Sequence, residues 1–300
     1  MINRLSSMFN KIFTNIQKEG SQKKLKNINI ILSFVSLFIL SRLIIEVQIE
    51  QKYFRPTINE VLVCLAYYMS NSLLWISFMK RNYPGSSADY FYNWSLSKIG
   101  KYIPGGLMIL TVRLNQPIKN NSNSKKIFFG IVEEHFLAPL ISIFSIVLCL
   151  TINLEKNNLI LFILSTVVSF FMFKYFYFKL ERNYESLINF KFLYLLHLNL
   201  NFLFFYVVAQ TLDTQEPFKL TLLYLLSSCI GLIFIGVPAG LGIRELIFYW
   251  VTSGIIPEMD SINLMIKIRI MLIAFDLFFG LLGMVKLYLY DTFLFSKKKD

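Results

Sequence analysis

Apolar runs long enough to cross a bilayer recur along nearly the whole of this chain, and that pattern excludes most folds open to 300 residues. A helix needs ~20 consecutive apolar residues to cover ~30 Å of hydrocarbon. Such runs read at 28–45, 58–79, 127–150, 158–178, 192–212, 219–237, 240–256 and 264–288. With no water in the bilayer to satisfy exposed amides, each run must close its own backbone hydrogen bonds. The expected fold class is therefore all-α: a polytopic membrane helix bundle of about eight transmembrane helices. An apolar content of 55% and a mean hydropathy of +0.56 lie well outside the soluble range. No polar stretch is large enough for a separate soluble domain. The organisation expected is a basic, amphipathic segment at 1–27, one integral membrane domain at 28–290 and a basic tail at 291–300.

The net charge of +12 would fit nucleic acid if the basic residues gathered on one polar domain, but they fall in loops between apolar runs. Membrane topology accounts for them: segments 1–27 and 80–126 hold fourteen Lys or Arg, and Lys297, Lys298 and Lys299 follow the last run. The positive-inside rule then places both termini in the cytoplasm and the chain as a multi-pass protein of the cell membrane. The intervening loops on the other side carry few bases, and Asp213, Glu216, Glu258 and Asp260 read there without a basic partner. The first apolar run follows about 27 mostly polar residues and lacks a small-x-small cleavage site, so it is expected to remain as a span. Upstream, Ile2, Leu5, Phe9, Ile12, Phe13 and Ile16 recur at helical spacing. That segment reads either as a helix on the inner membrane surface or as a disordered basic tail.

Cys64, Cys149 and Cys229 each sit inside an apolar run as packing thiols, and no Cys/His spacing supports a metal or a cofactor. No phosphate-binding loop, zinc-protease helix, nucleophile elbow or dinucleotide fingerprint is present, which argues against an enzyme or a nucleotide-driven pump. The aromatic cluster at 171–178 reads as an interfacial belt rather than a stacking platform.

Residues 90–115 break the pattern. They are moderately apolar but interrupted by Lys98, Lys101 and Pro104-Gly105-Gly106, so a full crossing is not expected. A re-entrant segment that enters and leaves at the inner face fits, as does an interfacial helix followed by a turn. A second break, Gly236 to Glu245, reads Gly-Val-Pro-Ala-Gly-Leu-Gly-Ile-Arg-Glu, with Pro238, Gly240 and Gly242 loosening the backbone. Broken segments at corresponding places in two halves point to an internal inverted repeat around a midplane site.

The first segment, Gly100-Lys101-Tyr102-Ile103-Pro104-Gly105-Gly106, is similar to an element of the lysylphosphatidylglycerol synthase transmembrane region family, and the second resembles that family's Pro-x-Gly-x-Gly-x-Arg-Glu element. Members are flippase-like integral membrane proteins. The order of parts is similar too: a glutamate follows in the next helix, here Glu133-Glu134, and an arginine lies in the last, here Arg269. The residues after the double glycine, Leu107 to Leu110, depart from the small residues usual there. Nothing in the 300 residues matches the soluble aminoacyl-transferase domain of the two-part synthases, so the resemblance implies handling of a lipid or lipid-linked substrate without aminoacylation.

Charges inside apolar helices cost about 2.5–3.5 kcal/mol each on insertion scales and mark sites or partners. Arg244 is the candidate ligand for a phosphate oxygen. Glu245, as its immediate neighbour, is expected to turn away and pair with Arg113 or Arg269. Glu133 or Glu134 faces the bundle interior as an ion-pair partner or a proton-exchanging group. His135 and His197 read as hydrogen-bonded packing residues. Asp276 lies at i+7 from Arg269 on nearly the same face, as a buried partner for a base on another helix or as a substrate contact. Asn71, Asn199, Asn201 and Gln210 are expected to hydrogen-bond between helices.

The reading is a carrier in which Arg113, Arg244 and Arg269 neutralise an anionic phospholipid or a polyprenyl-phosphate glycan precursor. Glu133 or Glu134, Glu245 and Asp276 balance the empty cavity, and Pro104, Gly105, Gly106, Pro238, Gly240 and Gly242 provide the gates. The alternative from another class is a non-transporting scaffold or regulatory subunit for an envelope glycosyltransferase. Expected partners are membrane lipid, envelope-biosynthesis enzymes and further copies of the chain, with no nucleic acid and no cofactor.

Overall fold

The computed structural model describes residues 55–83, 85–100, 102, 113, 138–151, 159–178, 191–211, 216–233, 243–254 and 256–297. These residues form eight helices and no strand: α1 (Ile58–Asn82), α2 (Ser87–Gly100), α3 (Ala138–Thr151), α4 (Leu159–Phe178), α5 (Lys191–Gln210), α6 (Pro217–Ile233), α7 (Ile243–Thr252) and α8 (Glu258–Lys297). Three stretches are long and apolar enough to cross a membrane: Ile58–Arg81, Phe192–Gln210 and Asp260–Val285. The chain is thus an all-helical protein with membrane-spanning character.

Helix α1 starts where its sequence dictates. Thr57 N–H donates to Glu60 Oε2 at 2.7 Å and Glu60 N–H to Thr57 Oγ1 at 3.3 Å, a reciprocal cap that satisfies two otherwise orphaned donors. It stops at Tyr83, which is extended (φ −142°, ψ 141°) as the residue before a proline tends to be. Ser86 restarts the chain by accepting from Asp89 N–H at 3.1 Å, and α2 follows. At this corner, outside the spans, burial and the neighbouring Tyr90 push the Tyr83 phenol up to about 12, so it stays a neutral packing group across the working pH range.

The spanning helices invert the pattern of a soluble helix. On α1 the apolar Ile58, Leu62, Leu65, Met69 and Leu73 are exposed, whereas Glu60, Cys64, Tyr68, Asn71 and Trp75 on the other side are buried. On α8 the exposed face carries Ile270, Leu277, Leu281 and Met284 and the buried face carries Arg269, Asp276 and Phe279. Lipid is as good a solvent for leucine as a protein core is, so polar groups move inward to find partners.

Helix α8 packs most extensively on α2, and α1 on α5; α6 lies against α7, α5 and α3, and α3 against α4. The α2–α8 contact depends on two glycines. A Cβ at Gly283 would come within 2.6 Å of the Leu96 backbone nitrogen, and one at Gly280 within 2.2 Å of the Ile99 side chain. The helices can approach this closely because α8 presents bare backbone there. Trp94 of α2 is fully buried in the resulting seam, edge-on to Tyr68 and Phe279.

Several boundaries differ from the sequence expectation. The stretch expected as a re-entrant or interfacial piece begins with a regular buried helix, α2, and its Pro104-Gly105-Gly106 break lies outside the described residues. Helix α7, Ile243–Thr252, stops short of the expected end at 256, where Gly254 adopts φ +84° and Pro257 follows; residues 240–242 lie outside the described residues. Helix α8 is longer than expected, at 40 residues. Glu216 does have a basic partner: Lys219, one turn on, at 2.9 Å. The expected span at 28–45, the N-terminal segment at 1–27 and the first part of the 127–150 run lie outside the described residues.

Candidate functional site

The short helix α7 places Arg244 and Glu245 in its first turn, where the exposed N–H groups favour the Glu245 carboxylate. Glu245 is 1% exposed. Its Oε1 accepts from Arg269 Nε of α8 in a tight charge-assisted hydrogen bond. The same Oε1 lies 3.6 Å from Arg244 Nε. The expectation that adjacent residues would turn apart is therefore corrected. Two long side chains at a helix start reach sideways to a common point, because the third group, Arg269, fixes the carboxylate between them.

One carboxylate thus serves two guanidiniums. Arg244 retains 13% side-chain exposure, its guanidinium carbon lies 5.7 Å from the centre of the Tyr224 ring, and its Nε is buried without a hydrogen-bond acceptor among the described residues. Gly231 of α6 makes room for it: a Cβ at that glycine would stand 2.9 Å from Arg244 Cβ. The Tyr224 hydroxyl is also buried without a hydrogen-bond partner among the described residues. A cation with an open donor and a neighbouring unpartnered hydroxyl are what an anionic oxygen would fill.

Asp276, fully buried on α8, is held by two tyrosines. Tyr68 of α1 donates to Oδ1 at 2.8 Å and Tyr102, just beyond α2, donates to Oδ2 at 2.6 Å. The Tyr102 hydroxyl also lies within electrostatic reach of Arg269 and Arg244 and so joins this carboxylate to the arginine cluster. Asp276 was expected to meet a base or a substrate; its described hydrogen-bond donors are phenols.

A third polar group links α1, α2 and α5. Trp94 Nε1 and Lys98 Nζ both donate to Asn71 Oδ1, at 2.7 and 3.0 Å, which fixes the amide so that Asn71 Nδ2 donates to His197 Nε2 at 3.3 Å. Ser70 Oγ donates to the Tyr67 carbonyl at 2.7 Å and accepts from His197 Nδ1 at 3.1 Å, which selects one neutral tautomer. His197 is the hydrogen-bonded packing residue expected, and Asn71 the interhelical linker. Lys98 lies 4.2 Å over the Trp94 ring, a half-buried cation–π contact.

Arg113 is 1% exposed, donates from Nε to Ser97 Oγ at 3.1 Å and stacks 4.4 Å over the Trp75 ring. It is therefore placed by α1 and α2, and Arg269 is the arginine seen on Glu245. Lys267 of α8 pairs instead with Glu60 at 2.7 Å and donates to Thr211 Oγ1 at 3.2 Å. Glu133, Glu134, His135, Pro104, Gly105, Gly106, Pro238, Gly240 and Gly242 lie outside the described residues. The sequence reading missed Glu60, Tyr68 and Tyr102. Glu60 had a signal in the Thr57-x-x-Glu60 spacing, and Tyr68 in its place two turns along the same stripe, whereas Tyr102 was quoted within the Gly100–Gly106 element without a role of its own. No three His, Cys, Asp or Glu side chains gather as a metal site among the described residues. Comparison with protein-family models, with curated proteins and with solved structures finds no match to this chain.

Proposed function

We propose that this is a flippase-like membrane carrier for an anionic lipid, either a phospholipid or a polyprenyl-phosphate-linked glycan precursor, and not an enzyme. The observation that carries the reading is Arg244: a guanidinium with an open Nε beside a second arginine, the two sharing a single carboxylate. Among the described residues Arg244 and Arg269 share the Glu245 carboxylate, and holding two guanidiniums in apolar helices is costly enough to mark a site for an anion. Arg244 supplies a planar donor fork to a phosphoryl oxygen, Arg269 holds Glu245, and Tyr224 offers its hydroxyl. The resemblance of the Gly100–Gly106 and Pro238–Glu245 elements to the lysylphosphatidylglycerol synthase transmembrane region family supports the same reading. The multi-pass placement in the cell membrane with both termini cytoplasmic belongs to the proposal, as do about eight crossings and the two broken segments as gates.

A test follows from reconstitution in liposomes carrying a labelled anionic phospholipid in one leaflet. The wild-type protein is expected to move the label between leaflets and Arg244→Ala to abolish the movement while remaining folded in the membrane. Movement at the wild-type rate by Arg244→Ala would remove that residue from the mechanism.

A scaffold role for an envelope enzyme has one observation in its favour: the Glu245–Arg269 and Glu60–Lys267 pairs each tie two helices together, as packing alone would require. In that case purified protein moves no lipid, and an effect emerges only with the partner enzyme present.

A further inference from the structure

The surroundings of Asp276 contain a hydroxyl with one hydrogen and two places to put it. Tyr68 Oη is 2.8 Å from Asp276 Oδ1 and 2.9 Å from the carbonyl oxygen of Leu272, one turn earlier on α8. A phenol can donate to only one of them at a time. With Asp276 ionised, the Tyr68 hydrogen goes to Oδ1 and the Tyr102 hydrogen to Oδ2. With Asp276 protonated on Oδ1, that new O–H donates to Tyr68 Oη, the Tyr68 hydrogen turns to the Leu272 carbonyl, and Oδ2 still accepts from Tyr102. The described hydrogen-bond partners of the carboxyl, Tyr68 and Tyr102, stay hydrogen-bonded in both states, and of their hydrogens only the Tyr68 one has moved.

This is unlike the other buried acids of the bundle. The described partners of Glu245 are two guanidiniums, and Glu60 faces the Lys267 ammonium; both kinds of group donate and neither can accept, so a protonated carboxyl there would find its new O–H unpartnered on that side. Asp276 also sits in the interior of the longest candidate span, Asp260–Val285, fully out of solvent, where carrying a fixed charge is most costly. The charged and titratable groups facing it are Tyr68 from α1, Lys98 from α2 (5.5 Å over the Tyr68 ring), Tyr102 beyond α2, Arg269 on α8 itself, and Arg244 of α7 acting through Tyr102. His197 of α5 is separated from it by Asn71 and the Lys98–Trp94 contact.

We propose that Asp276 is a proton-binding site within the membrane-spanning bundle, with the Tyr68 hydroxyl turning between the carboxylate and the Leu272 carbonyl as the proton is taken up and released. The step is a plain protonation: bulk water supplies the proton, an O–H bond forms at Oδ1, and the proton returns to water on release. Where the arginine cluster takes an anion, as proposed above, a proton on Asp276 removes a negative charge from beside it and so favours anion binding. That consequence rests on the earlier reading. The protonation does not, and the experiment reads protonation alone.

The measurement is infrared difference spectroscopy of the full chain in lipid across the pH range in which it stays folded. A protonated carboxylic acid has a C=O stretch that a carboxylate lacks. The expected result is a pH-dependent band of this kind that is absent in Asp276→Asn and shifts on isotopic labelling of aspartate but not of glutamate. In Tyr68→Phe the acid loses its acceptor, and the band is expected to move to higher frequency. Should Asp276→Asn fail to fold, Tyr68→Phe and the aspartate label carry the test. The absence of a pH-dependent band, or a band indifferent to Tyr68→Phe and to the aspartate label, overturns the proposal.

Discussion

Lys267 and Arg269 stand two residues apart on α8, both buried, yet their surroundings differ in stoichiometry. Lys267 meets one carboxylate, Glu60, and one hydroxyl, Thr211, while Glu60 spends its other oxygen on capping α1. One cation meets one anion among the described residues, although Glu60 Oε1, 2.7 Å from Lys267 Nζ, makes no hydrogen bond of good geometry. Arg269 shares Glu245 with Arg244, and among the described residues Arg244 Nε has no hydrogen-bond acceptor, Glu245 Oε1 lying 3.6 Å away. A closed pair ties α1 to α8 and needs nothing further. The open cluster has capacity for one more negative group, and that difference separates a structural ion pair from a candidate site more sharply than burial does, since both are buried.

The sharpest test of the comparison is Glu60→Gln, which strands the Lys267 ammonium while leaving an amide oxygen to cap α1. Breaking a buried pair by removing one partner costs about 3–5 kcal/mol, and the loss is expected in thermal unfolding of the detergent-solubilised protein, with phosphate binding unchanged. Glu245→Gln is expected to cost less, about 2–3 kcal/mol, because Arg244 keeps some access to solvent. It should also tighten the binding of inorganic phosphate, since it removes the only described acid between two guanidiniums. If instead Glu60→Gln tightened phosphate binding and Glu245→Gln did not, the roles of the two clusters would be exchanged.

Gly283→Ala serves as a control that disturbs α8 without touching either cluster. Its Cβ would press on the Leu96 backbone, which cannot turn aside as a side chain can, and overpacking of this kind costs about 1–3 kcal/mol. Phosphate binding per folded molecule should be unaffected. The smallest effect on stability is expected for Arg244→Ala, below about 1 kcal/mol, because its ion pair is long and partly solvated. Its effect on anion binding should be the largest of the four variants.

Much of the fold was legible because membrane helices announce themselves by length and apolarity. The starts of α1, α4 and α5 fall within a residue of the apolar runs read from the sequence. The chain stops were harder to read. Ile255 and Ile256 prolong the apolar run after α7, but the left-handed Gly254 and Pro257 end the helix, and hydropathy counts neither signal. For the 90–115 window the sequence leaves a re-entrant segment and an interfacial helix with a turn both open, and the structure adds the helix α2 with its start at the Ser86 cap.

Arg244, Glu245, Arg269 and Asp276 were visible as charges in apolar surroundings. Their partners were not, because pairing depends on which helix faces which, over separations such as the 208 residues between Tyr68 and Asp276. Tyrosine hides especially well, since the same residue serves as belt, core or hydrogen-bond donor and only geometry distinguishes the three.

Helix α8 runs for 40 residues, which at 1.5 Å per residue makes a rod of ~60 Å, about twice the thickness of a hydrocarbon layer. Its candidate span ends at Val285, and the helix runs on to Lys297 as a stalk beyond that span. A spectroscopic probe attached along that stalk would report tilting of α8 as a lever does, magnifying at its far end any small rotation at Asp276 and Arg269.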